Sequence, residues 1–173
     1  MLAVTWSEAR AFARWLTEQI RPQLQALAQL KGYHVALPTE AQWQRAAKAS
    51  DLAKGDNRTW PWGNNDNDID QRANVGGLVG ESSAVGLYAP TLLGLHDMAG
   101  NAWEWMDYEF RSKQHHAPVL RLSTSFEEVS VRGGSWSDRP GHASCSYGNW
   151  GHPDSWDKNI GFRVVLALAE NET

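Results

Sequence analysis

Val131-Arg-Gly-Gly-Ser-Trp136-Ser-Asp-Arg-Pro-Gly-His-Ala-Ser-Cys-Ser-Tyr-Gly-Asn-Trp150-Gly-His-Pro-Asp-Ser-Trp156-Asp-Lys-Asn-Ile160-Gly-Phe-Arg-Val-Val165 decides how this chain is read, because its two ends differ in kind from its middle. Both ends read as strands. From Ser137 to Asn159 there is no Leu, Ile, Val, Met or Phe, so the segment has no aliphatic face to bury and is expected to run over the surface. Trp136, Tyr147, Trp150 and Trp156 are expected to hold it there, with Ser, Gly, Asp, Asn, His, Arg and Pro between them. Rigid rings interleaved with small polar residues are the composition of binding loops. The rings give contact area at little entropic cost, and the small residues adapt their hydrogen bonding. The segment therefore reads as a recognition surface on a fixed frame.

A chain of 173 residues fits one domain, here taken as 1–173, and buries enough surface to fold without disulfides. Hydrophobic residues at 42% and charged residues at 21% are ordinary for a soluble globular protein, and no run is apolar enough to be a membrane segment. The first residues enter a helical pattern with no basic or apolar leader, so a cytoplasmic protein is the simple expectation and the cell surface the alternative. Cys145 is the single cysteine, which excludes an intrachain disulfide. A net charge of −4 argues against binding nucleic acid, which needs clustered Lys and Arg to displace counterions. Ten Trp predict a loop-rich fold in which indoles stand in for aliphatic faces.

Along the chain, Thr5-x-x-Glu8 is a capping box, and Ala9, Phe12, Ala13, Leu16 and Ile20 recur at helical spacing, so a helix begins near Trp6. Pro22 marks a kink or a restart, and Lys31-Gly32 ends the pattern. Val35-Ala-Leu37 reads as a strand, and Thr39-Glu-Ala-Gln42 as a second capping box. Ser50 to Gly80 reads as a long ordered loop around Trp60-Pro-Trp62-Gly63. Within it Asp66-x-Asp68-x-Asp70 begins like a calcium loop but has Gln71 and Gly77 where the turn glycine and the closing glutamate belong, so it reads as a solvated acidic loop. Gly94-Leu-His-Asp97-Met-Ala-Gly100-Asn-Ala102-Trp-Glu104-Trp105 combines glycines, two carboxylates and two indoles at alternate positions, as in a strand. Glu109 to Ser130, with His115-His116, reads as an exposed insertion.

Taken together, Val4-Thr-Trp-Ser-Glu-Ala-Arg-Ala-Phe-Ala-Arg-Trp-Leu16, Leu37-Pro-Thr-Glu-Ala-Gln-Trp43, Trp60-Pro-Trp-Gly63, Ala73-Asn-Val75, Gly94 to Trp105, Arg132-Gly-Gly-Ser-Trp136 and Asn159-Ile-Gly-Phe-Arg163 resemble, in the same order, the formylglycine-generating enzyme (sulfatase-modifying factor) family. The resemblance implies an α+β fold of C-type-lectin-like kind, with two helices, short antiparallel strands and long irregular loops. It also implies a copper site of two cysteines shortly after Gly-Gly-Ser-Trp, because soft thiolates select Cu(I). Here those positions are Asp138 and Ala143, so no copper and no enzymatic oxidation are expected. Cys145 is expected to be a partly buried small residue beside Tyr147.

The chain is more similar to another branch of the fold, the variable proteins of diversity-generating retroelements. That resemblance implies a C-terminal segment, about 136–159, whose adenine positions are rewritten, so that Asn codons become Ser, Gly, Asp, His, Tyr, Arg, Cys or Thr. Ser137, Asp138, Gly141, His142, Ser144, Tyr147, Gly148, Gly151, His152, Ser155 and Asp157 are then the ligand-binding positions, and Trp136, Trp150 and Trp156 the scaffold. For the enzymes, the resemblance further implies calcium held by the side chains at Asp97 and Glu104 with the carbonyls of Gly100 and Ala102. The alternative is that the two carboxylates accept hydrogen bonds from loop amides or pair with Arg163.

Three functions compete on this reading. The first is a non-catalytic display module for a protein or other macromolecular ligand. The second is a formylglycine-generating-type oxidase or a degenerate relative, and the third a structural partner-docking domain.

Overall fold

Thr5 starts the first helix by a purely local device. Its hydroxyl accepts from the Glu8 amide at 3.2 Å while the Glu8 carboxylate accepts from the Thr5 amide at 2.8 Å, which satisfies two of the amides a helix start leaves bare. In this computed structural model, which describes residues 1–49, 57–107 and 128–168, helix α1 runs from Trp6 to Ala26 and carries Pro22 inside it. Trp6, Ala9, Ala13, Thr17 and Leu24 form its buried stripe. Thr17 ties the helix to strand β1, Tyr33–Ala36, by accepting from the Val35 amide at 2.8 Å. A second capping box at Thr39 opens α2, Glu40–Lys48, and Ala49 closes it in the left-handed region. The acidic stretch expected to be loop contains a single turn of helix, α3, Ile69–Arg72.

The remaining strands are β2, Trp103–Trp105; β3, Val129–Arg132; β4, Gly148–Gly151; β5, Ile160–Gly161; and β6, Val165–Leu168. They form a four-stranded sheet in the order β4-β3-β2-β5, and β6 pairs separately with β1. The α+β class stands, with one difference from the expectation: β2 and β5 run parallel, Trp103 opposite Ile160 and Glu104 opposite Gly161. The chain between them is long enough to return β5 in the same direction, as parallel pairing requires.

β4 is a second difference, since the 137–159 segment was expected to hold no strand. It pairs Val129 with Gly151 and Arg132 with Gly148. Ladder bonds use the backbone, so an edge strand forms here without an aliphatic side chain of its own, and Gly151 lies so close to Trp105 that a Cβ would come within 2.9 Å of the indole.

Indoles fill the core as expected. Trp105, fully buried, donates Nε1–H to the Val4 carbonyl at 2.9 Å, and Trp6 donates to the Met106 carbonyl at 3.0 Å. Each ring buries a large apolar surface while its one polar atom is satisfied. Two further clusters lie under the loops: Trp43 with Ala47, Met98, Met106 and Cys145, and Trp60 with Ala73, Val75, Ala99 and Ala143. Cys145 is thus fully buried against Trp43 and the methionines, deeper than expected, while Tyr147 packs on the cluster that includes Trp103. The insertion with His115-His116 lies outside the described residues. No helix among the described residues is long and apolar enough to cross a membrane.

Candidate functional site

The 137–159 segment is fastened through its backbone. Gly77 donates to the Trp136 carbonyl at 2.7 Å, Gly76 to the Asp138 carbonyl at 2.8 Å, and Cys145 to the Thr59 carbonyl at 2.8 Å. Arg132 donates to the carbonyls of Ser146 and Tyr147 at 3.1 and 3.2 Å while its other arm meets Glu40 at 2.6 Å. Gly134 sits at φ +71°, and a Cβ on it would come within 2.9 Å of the Ala143 backbone, so the short 3₁₀ turn Pro140–Ala143 packs directly on the Gly-Gly turn. Ser135, buried, bonds the Asp138 carboxylate and accepts from Asn159 at 3.1 Å. These bonds fix the path of the segment largely through backbone atoms, while at Gly148 and Gly151 an added Cβ would come within 3.1 Å of Arg132 and 2.9 Å of Trp105, which closes those two expected variable positions to side chains.

Ser137, Gly141, His152 and Asp157 are exposed, and Asp138, His142, Tyr147, Gly148, Gly151 and Ser155 are half-buried. Ser144 departs from expectation: it is buried, between Ala143 and Cys145, which point into two of the clusters. His142 stacks on Tyr147 at 4.6 Å and stands 3.3 Å from the Asp138 carboxylate, so these three form a small internal unit.

The indoles divide differently from the scaffold role expected of all three. Trp136 is half-buried and carries the Lys158 ammonium 5.2 Å from its ring centre. Trp150, on the edge strand β4, is 41% exposed, and Trp156 is 68% exposed. Burial therefore contributes little to holding Trp156, while Trp150 keeps more than half of its surface covered on the edge strand. Trp156 lines a cavity of about 510 Å³ with His152, Asp154, Ser155, Asp157 and Lys158. Asp154, not among the residues singled out from the sequence, lines this cavity. The pattern Asp154-Ser-Trp-Asp157, carboxylates on both sides of an indole, is the signal that points to it.

Behind this face, the Gly94–Trp105 stretch is a structural junction. Asp97 lies at φ 55° with its carboxylate accepting from the Gly86 amide at 2.8 Å. Glu104 accepts from Trp43 Nε1 and from two nitrogens of Arg163, each at 2.6 Å. Burial alone would lower the Arg163 pKa, but the Glu104 carboxylate and, behind it, Asp97 hold it above the ordinary value. Arg163 also donates to the Asp97 carbonyl at 3.3 Å, and the Gly100 carbonyl accepts from the Ala102 amide at 2.9 Å. In this arrangement the two carboxylates make the contacts named as the alternative to calcium: Asp97 accepts from the Gly86 amide, and Glu104 from the Trp43 indole and the Arg163 guanidinium. Among the described residues no group of three or more His, Cys, Asp or Glu is placed to hold a metal ion. The positions matched to copper-binding cysteines hold Asp138, bonded to Ser135 and His142, and Ala143, fully buried.

Comparison with known proteins gives a consistent picture. Residues 1–168 match the sulfatase-modifying factor enzyme 1-like domain. The chain is 32% identical over 157 residues to the hercynine oxygenase of Mycobacterium tuberculosis, a match covering 87% of this chain and 32% of that protein. It is 29% identical over 172 residues to the bovine inactive C-alpha-formylglycine-generating enzyme 2, covering 94% of this chain and 48% of that one. It thus spans about a third and about half of these relatives' lengths. Its fold is similar to that of Treponema denticola variable protein 1, with a TM-score of 0.75 at 21% identity, covering 98% of this chain and 71% of that one.

Proposed function

The chain belongs to the sulfatase-modifying factor enzyme 1-like family, and from that premise we propose that it is a non-catalytic display protein whose 137–159 face binds a protein or other macromolecular ligand and is diversified by a retroelement. The observation that carries this reading is the contrast within one segment. Its backbone is clamped from Gly76, Gly77, Thr59 and Arg132, while Ser137, Gly141, Trp150, His152, Trp156 and Asp157 project outward. A frame that fixes the path mainly through backbone atoms leaves exposed side chains such as Trp156 and Asp157 open to replacement, as a diversified surface must, while Ser137 and His152 also keep hydrogen bonds within the segment.

The exposed indoles agree with this reading once their codons are considered. Tryptophan cannot arise from an asparagine AAC codon, but TGG is a single adenine change from the arginine codon AGG. Trp150 and Trp156 can therefore be rewritten positions. Aromatic residues at such positions serve as binding anchors. The absence of an oxidase activity is supported by Asp138 and Ala143 at the positions of the paired thiolates.

The test is the neighbouring DNA. A near-identical repeat of the codons for Trp136 to Asn159, mismatched only at adenines and beside a reverse-transcriptase gene, is expected; sister copies of the gene that never differ in these codons would remove the proposal. A second reading, a domain of a larger oxygenase, has the 32% identity to the mycobacterial hercynine oxygenase behind it. Metal-dependent oxygen consumption by the intact protein, abolished by changes within this domain, would favour it over display.

A further inference from the structure

Basic side chains cover several of this protein's indoles. Arg10 lies 4.7 Å from the Trp6 ring centre, Arg72 lies 5.9 Å from Trp62, and Lys158 lies 5.2 Å from Trp136. Each is placed where the negative face of the ring attracts a cation. Trp156 breaks the pattern. It is the more exposed of the two open indoles on the display face, and no ring, cation or hydrogen-bond partner of its own is found among the described residues.

Its surroundings carry the charge that a cation would need. Asp154 and Asp157 line the same 510 Å³ cavity, and the Asp157 carboxylate has no partner among the described residues. Asp154 is 3.7 Å from His152, a contact that offers a charge only when the histidine is protonated. Lys158 also lines the cavity, with its ammonium 5.2 Å from the Trp136 ring, so the two carboxylates outnumber the one cation there.

We propose that the cavity around Trp156 takes an Arg or Lys side chain of a protein ligand, stacked on the indole and paired with Asp154 and Asp157. This names the ligand chemistry of the display face and rests on that reading. A guanidinium suits the cavity best, because it is weakly hydrated, stacks flat on a ring and offers forked donors to carboxylates. The Trp156 ring and the Asp157 carboxylate have no partner among the described residues and Asp154 meets only His152, so all three are available to a partner. The paired carboxylates make the interaction salt-sensitive.

A random-peptide phage library panned on the intact protein tests this, with Trp156→Ala and the double variant Asp154→Asn/Asp157→Asn panned in parallel. These side chains are exposed, and unchanged melting curves would show that the variants fold. Enriched peptides are expected to carry Arg or Lys and to bind each variant roughly tenfold more weakly, more so at low salt. Peptides that bind through the segment but are not basic, or that ignore both variants, overturn the cationic anchor and leave the display reading standing. If no peptide is enriched on the segment at all, both fail.

Discussion

Arg163 and Glu104 meet through two nitrogens and two oxygens, each contact 2.6 Å, although they lie on opposite sides of the display segment in sequence. Glu104 is on β2 and Arg163 follows β5, so the pair reinforces the parallel pairing that brings the end of the segment back to its start. Trp43 adds a third donor from α2.

Breaking this pair from one side is expected to be costly. Glu104→Gln leaves the guanidinium without its counter-charge in a largely buried position and should lower stability by about 3–5 kcal/mol. The double variant Glu104→Gln/Arg163→Met should lose less than the sum of the singles. Urea unfolding of the four proteins in a cycle measures the coupling, and strict additivity would mean the pair contributes little.

Calcium is expected not to matter to stability, because the Arg163 guanidinium already pairs with Glu104 and the Asp97 carboxylate accepts from the Gly86 amide. Melting temperatures in excess Ca²⁺ and in EDTA are expected to coincide. A ligand that binds the folded state alone at a hundred times its Kd adds about 2.7 kcal/mol, so a clear upward shift with calcium would refute the arrangement described here.

Within the segment, stability and display should separate. Trp156→Ala, and joint changes at Ser137 and His152, are expected to stay within roughly 0.5 kcal/mol of the parent, as exposed loop changes do. Trp105→Ala, in the fully buried core, should cost about 3–5 kcal/mol. Thermal unfolding compares them directly, and a large loss at Trp156 would show that it anchors the loop.

Gly100→Ala is expected to be among the most damaging small changes. The residue sits at φ +73°, and its Cβ would collide with the Asn74 carbonyl. The left-handed conformation alone costs about 1–3 kcal/mol for a side chain, and the collision adds to it by forcing the 74–75 backbone away from Asn101, whose amide bonds Asn74 at 2.8 Å. Denaturant unfolding gives the sum.

Acid should loosen the start of α1. The Thr5 backbone hydrogen bond, and then the Thr5 hydroxyl, hold the Glu8 pKa below the ordinary value of 4.5. A depressed folded-state pKa contributes stability that is present above the unfolded value and is lost as pH falls through the folded one. The advantage of the parent over Glu8→Gln is therefore expected at pH 6 and above and should fade as the solution is acidified below 4.5. Titration of the Glu8 carboxyl by NMR checks the direction.

Both helix starts were legible in the sequence because a capping box joins residues three apart, Thr5 with Glu8 and Thr39 with Gln42. The strand at Trp103 and Trp105 was legible from its period of two, and the surface course of the 137–159 segment from its lack of aliphatic residues. Pro22 left one helix or two open, and the structure has one helix 21 residues long that continues through it. β4 was invisible because its pairing is made by backbone atoms with a partner strand, which no side-chain pattern records.

Sequence alone thus settled the local starts and the stretch without a buried aliphatic face, properties of residues near one another in the chain, while the class of fold came from the resemblance carried by motifs along its whole length. Which indoles are buried was decided only in three dimensions. Trp105 and Trp156 are chemically identical, yet one is enclosed by Val4 and β3 while the other faces water. Ser144 is buried because its neighbours Ala143 and Cys145 reach clusters built from residues 40 to 106. Exposure is set by what distant segments bring alongside, and composition does not carry that information.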